Sequence, residues 1–244
     1  MKKTIALLLI AVLLLPAASF AYLPDVYHRP GQKTPYQENK EWHTKALSVF
    51  HTCAFSSEYG DRSRNRLVRW DTPIRIYAAG NPSGQDLQTL DNFIDELKKK
   101  VYYLPSISRV YSRSSANIVI HFCRLSEMAS LFPGYVSGNW GCFSYQYSNY
   151  RIYQAAIGIA TDKTTQKQRN HLMKEELVGA LGLTNDHHSD SSSILYQGWT
   201  EVQNLSRLDW QMLDYLYHPD VRPGDTWAAA ESALKSYYIN VMFN

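Results

Sequence analysis

The segment Lys174–Ile194 limits what this chain can fold into more than any other part of the sequence. It reads KEELVGALGLTNDHHSDSSSI and brings two adjacent carboxylates, a glycine, an Asn-Asp pair, a His pair and a serine run into one short stretch. Thr165 and the apolar residues that follow it at helical spacing predict a helix ending near Leu181, with Gly182 as its C-terminal stop. The polar side chains therefore gather on one helix and on the turn that follows it.

The carboxylates of this segment are candidates for general acid–base chemistry. Neighbouring carboxyl groups can differ in pKa and act as acid and base. If the protein is an enzyme, we predict Glu176 as the general base, with Glu175 and Asp186 beside it. Adjacent helical residues point about 100° apart, so one glutamate can face a cleft while the other makes a structural bond. The alternative for Glu175 is therefore a buried role, holding backbone groups of the turn.

The segment has the shape of a zinc-peptidase signature without its metal ligands. In the long signature H-E-x-x-H-x-x-G-x-x-H, three histidines bind zinc, the glutamate activates water and the glycine allows a sharp turn. Aligned on this chain, Glu176 falls on the catalytic glutamate and Gly182 on the turn glycine. The three ligand positions hold Glu175, Gly179 and Asn185 instead of histidine. The sequence therefore predicts that the standard zinc site is missing.

A different metal site is the remaining route to zinc chemistry. His171 and Glu175 are four residues apart and share a helix face. His187 and His188 could bring a further ligand from the turn, and zinc accepts nitrogen and oxygen ligands. Against this site, His171 lies one helical turn before the expected ligand position. We therefore favour no bound metal, with zinc at His171, His187 and His188 as the alternative.

Residues 1–21 have the features of a signal peptide. Lys2 and Lys3 are followed by an apolar run that is too short to span a bilayer comfortably, and cleavage is predicted after Ala21. We expect a periplasmic or secreted protein with no membrane span after cleavage. Residues 22–36 are rich in proline and predict an extended N-terminal arm, and residues 37–244 form the predicted domain.

Charge and cysteine content limit the partners and the covalent structure. The chain has 25 Lys and Arg against 22 Asp and Glu, and two of the lysines are in the signal peptide. This nearly neutral balance lacks the excess of positive charge that is typical of nucleic-acid-binding proteins. Export would expose the three cysteines to an oxidising compartment. We predict a disulfide between Cys123 and Cys142, because the segment between them has loop character; a pair that includes Cys53 is the alternative.

Alternating and helical patterns predict an α+β domain with one mixed sheet. The elements are helices at residues 37–52, 86–101, 165–181 and 227–241, and strands at residues 67–78, 117–122 and 152–160. Ser206 and Asp209 have the spacing of a capping box before one further helix. No internal repeat or linker divides the chain, so we predict a single domain with helices packed on the sheet.

An aromatic segment separates two of the predicted strands. Residues 128–149 contain several glycines and predict irregular structure. Tyr135, Trp140 and Tyr145 could form the face of a binding loop. The alternative, which the ordinary burial of aromatic residues favours, is a covering flap whose rings simply pack.

The chain resembles an exported proteobacterial family, the domain of unknown function numbered 2927, over nearly all of its mature length. The elements that carry the resemblance are VRW-x-x-PIRI at Val68–Ile76, AAIGIA within residues 155–160, EELVGALGLTND at Glu175–Asp186 and LSRLDWQMLDYLYHPDVRPGDT at Leu205–Thr226. The resemblance implies a zincin-like fold, related to metallopeptidases, but no established activity. The family usually has glutamine where this chain has Gly179.

Together these features predict an exported, metallopeptidase-like protein of unknown activity that has no standard zinc ligands and need not be catalytic. The alternative is a binding module that uses the cleft of an inactive peptidase scaffold. Its partner would be a peptide or a cell-envelope component such as a cell-wall glycan, held against Tyr135, Trp140 and Tyr145.

Overall fold

A five-stranded mixed sheet forms the centre of the molecule, in a computed structural model that describes residues 35–56 and 65–241. The predicted signal peptide and residues 22–34 of the predicted arm lie outside the described residues. The strands are β1 Ile74–Gly80, β2 Ile107–Arg109, β3 Ile118–Cys123, β4 Gly141–Ser148 and β5 Arg151–Ala160. The α-helices of the described ranges are α1 Pro35–Phe55, α2 Gly84–Lys100, α3 Met128–Leu131, α4 Gln166–Leu181, α5 Arg207–Tyr217 and α6 Trp227–Leu234.

The strand order is β2-β1-β3-β5-β4. β1, β2, β3 and β5 run parallel, whereas β4 runs antiparallel to β5 and lies at the end of the sheet. The register places Ile118 beside Ala155 and Cys142 beside Gly158. The prediction of a mixed sheet with packed helices in a single domain is therefore confirmed.

One face of the sheet is covered by helices and forms the core. Ile76, Ile120 and Ile157 point from three neighbouring strands into this core and are fully buried. α2 and α4 pack against each other, α4 also contacts β4 and β5, and α1 packs on α5. On the opposite face, side chains such as Val119 and His121 are only partly buried. The asymmetry accounts for the alternation of buried and less buried residues along β1 and β3, whereas β5 is buried at four consecutive residues.

Helix α4 begins and ends close to the predicted residues for local reasons. The Thr165 hydroxyl accepts a hydrogen bond from the N–H of Gln168, whose side chain accepts one from the N–H of Thr165. At the other end Gly182 has φ +129°, and a Cβ there would lie 2.7 Å from the backbone oxygen of Val68. Only glycine fits this stop, which turns the chain towards Asp186.

The other element boundaries include several corrections. α1 begins at Pro35, so the predicted arm ends two residues earlier than expected, and α6 continues into a π-helical segment, Lys235–Val241. The Ser206–Asp209 capping box of α5 is confirmed. β1 begins at Ile74, so the strand predicted over residues 67–78 starts directly after its proline, Pro73, which is the usual place for a proline in a strand. The largest error concerns residues 141–148, predicted as irregular structure, which form strand β4.

The cysteines do not form the predicted disulfide. All three are free in the structure. Cys123 lies on β3 and Cys142 on β4, with β5 between them, and they pair with different residues of β5. Two strand spacings amount to about 9–10 Å, which exceeds the Cα separation that a disulfide can bridge. The alternative pairs with Cys53 are not formed either.

Among the described residues, no helix combines the length and the apolar character that crossing a membrane requires.

Candidate functional site

A cleft of about 930 Å³ opens between α4, the start of β4 and the loop that precedes β4. Its walls contain backbone and side-chain groups from four parts of the chain: the residue 132–140 loop, the first half of β4, α4 with the turn after it, and the loop at Trp199. It lies beside the antiparallel edge of the sheet. This cleft contains most of the side chains that the sequence marked as candidates.

The three predicted carboxylates line this one cleft. Glu175 and Glu176 extend from α4, and Asp186 comes from the turn that Gly182 begins. All three are partly exposed. Glu176 lies directly against the first residue of β4, because a Cβ on Gly141 would collide with its Oε1 atom. The geometry brings the proposed acid and base groups together, and their catalytic roles stay a prediction.

His171 is held behind Glu175 in one orientation. Its Nδ1 atom lies 2.9 Å from the backbone oxygen of Val202, and its Nε2 atom lies 3.4 Å from Glu175 Oε2. The carbonyl can only accept, so Nδ1 carries the proton of this hydrogen bond. Burial lowers the pKa of His171, although the bond to Val202 acts in the opposite direction. The bond to Val202 therefore directs the Nε2 atom towards Glu175.

Phe143 occupies the space that the second zinc ligand would need. Its ring lies against Gly179, so that even a Cβ at position 179 would collide with the ring carbons. The zinc signature requires a histidine at this position of the helix. A histidine side chain at Gly179 could not enter the site while Phe143 keeps its rotamer. The ring of Phe143 is in turn stacked on Tyr145, with centroids 6.3 Å apart.

The predicted metal candidates do not converge. His187 is buried, accepts a hydrogen bond at Nδ1 from the N–H of Ser189, and places Nε2 3.0 Å from Ser193 Oγ. The Ser193 hydroxyl donates to Asp209, so His187 is part of a structural network. His188 is exposed. In the described part of the chain, no three His, Cys, Asp or Glu side chains are arranged to hold a metal. These residues do not fit a zinc site.

The predicted aromatic binding residues lie on the wall of the cleft. Tyr135, Trp140 and Tyr145 all line it and are partly buried. The Tyr135 hydroxyl donates to the backbone oxygen of Asn139 at 2.6 Å, which holds the loop in a compact shape. Their participation in binding stays a prediction, whereas their shared location is a feature of the fold.

Trp199 is a cleft residue that the sequence did not reveal. It is 56% exposed, and its ring packs edge-on against Trp140, with centroids 5.3 Å apart, and against His171, at 5.8 Å. Large exposed aromatic side chains at a cleft are typical of binding sites. The only local signal is a glycine before the tryptophan in an irregular segment, which says nothing about its neighbours in space.

Backbone hydrogen bonds to β5 determine which N–H and C=O groups of β4 face away from the sheet and could bind a ligand. On the β3 side of β5, the N–H of Ala155 donates to the backbone oxygen of Asn117 at 2.9 Å. On the β4 side, the N–H of Ala160 donates to the backbone oxygen of Trp140 at 2.8 Å. Trp140 and Ala160 therefore form a hydrogen-bonded pair, and such pairs recur at every second residue of an antiparallel ladder.

Gly141 and Phe143 fall between these pairs, so their N–H and C=O groups point away from β5. Because β4 ends the strand order within the described residues, these groups point off the open edge of the sheet. The same two residues line the cleft. The cleft therefore contains an open strand edge. The Phe143 ring, and the side on which a Cβ at Gly141 would lie, are on the face that packs on α4.

Cys142 alternates with these residues on β4. It lies among the residues of the cleft wall, and burial, followed by the nearby Glu176 carboxylate, raises its pKa to about 12. A thiol with such a pKa is not a nucleophile at neutral pH. Cysteine-based catalysis is therefore not supported by this site.

Comparison with known protein families gives one assignment. The model of a family described as "Protein of unknown function (DUF2927)" matches residues 44–236. The chain belongs to the DUF2927 family. The expected family resemblance is thus confirmed, and the search of curated proteins finds no match for this DUF2927 protein.

Solved structures with some similarity to this DUF2927 protein include two of myroilysin. One, titled "Structure of Myroilysin", has a TM-score of 0.39 and 13% sequence identity, and covers 67% of this chain and 89% of that chain. The other, titled "Crystal structure of myroilysin", has a TM-score of 0.38 and 11% identity, and covers 77% and 97%. TM-scores this low do not establish a common fold.

Proposed function

We propose that this protein is exported and binds an extended peptide in the cleft of a metallopeptidase-like scaffold that lacks a fitting zinc site. The observation that carries the proposal is the open edge of β4 inside the cleft. An extended peptide that pairs with such an edge satisfies the backbone N–H and C=O groups of Gly141 and Phe143 and gains affinity from main-chain hydrogen bonds. The aromatic side chains around the edge supply apolar contact area.

The aromatic wall also suits a carbohydrate, so the test compares both ligand classes. The mature protein would be immobilised and exposed to a mixture of blocked random octapeptides and to soluble cell-wall glycan fragments. We expect retention of peptides, with tandem mass spectrometry identifying the retained sequences. Retention of glycan fragments alone would reject the peptide proposal.

Strand pairing can be tested on the ligand itself. An N-methyl group on one peptide nitrogen removes a donor and leaves the side chains unchanged. If the peptide pairs with β4, N-methylation at alternate nitrogens should weaken binding by about tenfold or more, while methylation at the intervening nitrogens should have little effect, because only every second N–H faces the partner strand. Equal effects at all positions would argue against pairing with an edge strand.

Hydrolysis is a second candidate function, favoured by the convergence of Glu175, Glu176 and Asp186 on the cleft. Glu176 would accept a proton from water, the water oxygen would bond to the peptide carbonyl carbon, and the amide nitrogen would leave with that proton. Incubation of retained peptides with the protein, followed by mass spectrometry, tests this candidate. Cleavage that disappears in Glu176→Gln and persists in Glu231→Gln, a remote substitution on α6, would support it.

The proposed export has a direct test. Expression of the full chain with its own N-terminus in a bacterial host, followed by N-terminal sequencing of the exported fraction, should give a mature protein that begins at Tyr22. Retention of the uncleaved chain in the cytoplasm would contradict the proposal.

A further inference from the structure

The charges around the cleft are of one sign. Glu175, Glu176 and Asp186 contribute carboxylates, and none of the described residues that line the cleft is a lysine or an arginine. Charged groups on low-dielectric walls concentrate their field inside a cleft. A peptide that enters this space is therefore favoured if it carries positive charge where the carboxylates lie.

The aromatic rings add to the same preference. Trp140 and Trp199 meet edge to face at 5.3 Å, and both line the cleft together with Phe143 and Tyr145. A cation close to the face of such a ring is attracted by the ring electrons, most strongly for tryptophan. The apolar stem of a lysine or arginine side chain also packs on aromatic surfaces, while its charged end stays near polar groups.

The register of β4 gives the position of this charge on the peptide. In a β-ladder, residues directly opposite each other project their side chains on the same face of the sheet. The face at Gly141 is the one that packs on α4, and there Glu176 occupies the space next to the glycine. Gly141 has no side chain, so the side chain of the peptide residue opposite it can lie across the glycine and reach the Glu176 carboxylate. This holds for either direction of the peptide.

We infer that the cleft selects a peptide with a lysine or arginine at the residue that pairs opposite Gly141, where its side chain meets Glu176 and the neighbouring carboxylates. This inference rests on the proposed peptide-binding function and adds the substrate class of the same site. The peptide residue two positions away, opposite Phe143, faces the Phe143 ring and favours an apolar side chain.

The experiment uses the octapeptides retained by the immobilised mature protein. The inference predicts that their sequences, aligned by a common strand register, are enriched in lysine or arginine at one position. One such peptide would then be synthesised with lysine, with norleucine and with glutamine at that position, and its binding measured by fluorescence anisotropy. Lysine should bind about tenfold more tightly than norleucine, and raised salt should weaken the lysine peptide more than the norleucine peptide.

The matched protein variants are Glu176→Gln and Glu231→Gln. Glu231 lies on α6, where it pairs with Lys235 at 2.8 Å and does not line the cleft. Glu176→Gln should reduce the preference for lysine over norleucine to about threefold or less, whereas Glu231→Gln should leave that preference unchanged. Circular dichroism of both variants checks that they are folded.

The outcomes separate this inference from the function on which it rests. If peptides bind but lysine and norleucine bind equally, the charge preference is wrong and peptide binding stands. If the lysine preference is present but unaltered in Glu176→Gln, the assigned carboxylate is wrong. If no peptide is retained, both the function and its substrate class are rejected.

Discussion

At the scale of single residues, the contact between Gly179 and Phe143 decides what the cleft can do. The zinc signature places a histidine where Gly179 stands, and the aromatic ring of an edge-strand residue fills the resulting space. The helix position and the strand position are therefore coupled through packing. A substitution at one of them has an effect that depends on the other.

We expect Gly179→His to lower the free energy of unfolding by about 2 kcal/mol, because the new side chain overpacks against Phe143. In a protein that already carries Phe143→Ala, adding Gly179→His should cost much less free energy of unfolding than it does in the unmodified protein. Urea denaturation followed by circular dichroism measures the cycle. Gly84→His is the control, since nothing lies within 4 Å of a Cβ at Gly84. Additive effects of the two substitutions would contradict the proposed coupling.

The three thiols also make a residue-scale prediction. Because Cys123 and Cys142 are separated by β5, a thiol reagent added to denatured, unreduced protein should titrate three thiols per chain. In the native protein the thiols should react slowly, since Cys53 is buried and burial raises the pKa of Cys142 to about 12 and of Cys123 to about 11. A count of one thiol would indicate a disulfide.

At the scale of secondary structure, α4 and β4 were not equally predictable. α4 has a capping box, an apolar stripe and a glycine stop, and each of these signals is local in the sequence. β4 is an edge strand on which most residues are exposed or half-buried, so it lacks the alternation of buried and exposed side chains. The glycine at its start further suggested a loop. The strand that forms a wall of the cleft was thus the one that the sequence patterns did not predict.

The N-cap of α4 has a measurable role in stability. Thr165→Ala removes the oxygen that accepts the Gln168 N–H, so we expect a loss of about 1 kcal/mol in the free energy of unfolding. Thr165→Ser should retain most of the stability. Thr52→Ala, an exposed substitution inside α1, is the matched control and should be neutral, because alanine is favourable within a helix. Thermal and urea denaturation would detect the difference, and equal stability of the two alanine variants would refute the cap assignment.

At the scale of the whole molecule, buried histidines link stability to pH. Burial lowers the pKa of His43, His171, His187 and His218 below the usual value of 6.5. The unfolded chain therefore binds more protons than the folded protein once the pH falls below about 6.5. The contribution of these histidines to the free energy of unfolding is therefore fully present above about pH 6.5 and is lost as the pH decreases below it. The pKa of three carboxyl groups, Asp86, Asp190 and Glu201, is also lowered, and their effect on the free energy of unfolding begins only below their ordinary values of 3.8 for Asp and 4.5 for Glu.

We accordingly expect the free energy of unfolding to fall by ~2 kcal/mol or more between pH 7 and pH 5, and the midpoint of thermal unfolding to decrease by several degrees. Calorimetry at pH 7, 6 and 5 measures the change. His218→Gln should make the pH dependence shallower, since the buried His218 is removed, whereas the exposed His188→Gln should not. Stability that rises towards pH 5 would overturn this account.

Much of the fold followed from the sequence, whereas the full site did not. The periodicity of α2 reflects burial on one side, so it is readable without a structure. β5 is readable as a continuous apolar run, and α4 is readable from its N-cap and its glycine stop. Trp199 enters the cleft from an irregular loop, and the separation of Cys123 from Cys142 depends on the strand order. Both are properties of long-range packing. The convergence of Glu175, Glu176 and Asp186 was predictable because one helix and its turn carry all three.

The ring of Phe143 over Gly179 also bears on how such a scaffold could change its chemistry over time. A histidine introduced at position 179 alone meets the ring, and removal of the ring alone leaves a void beside a residue that cannot bind metal. Neither single step provides a ligand, and positions 175 and 185 would still need exchange. A path from this protein to the standard zinc site therefore passes through intermediates that are less stable and still lack the full set of ligands.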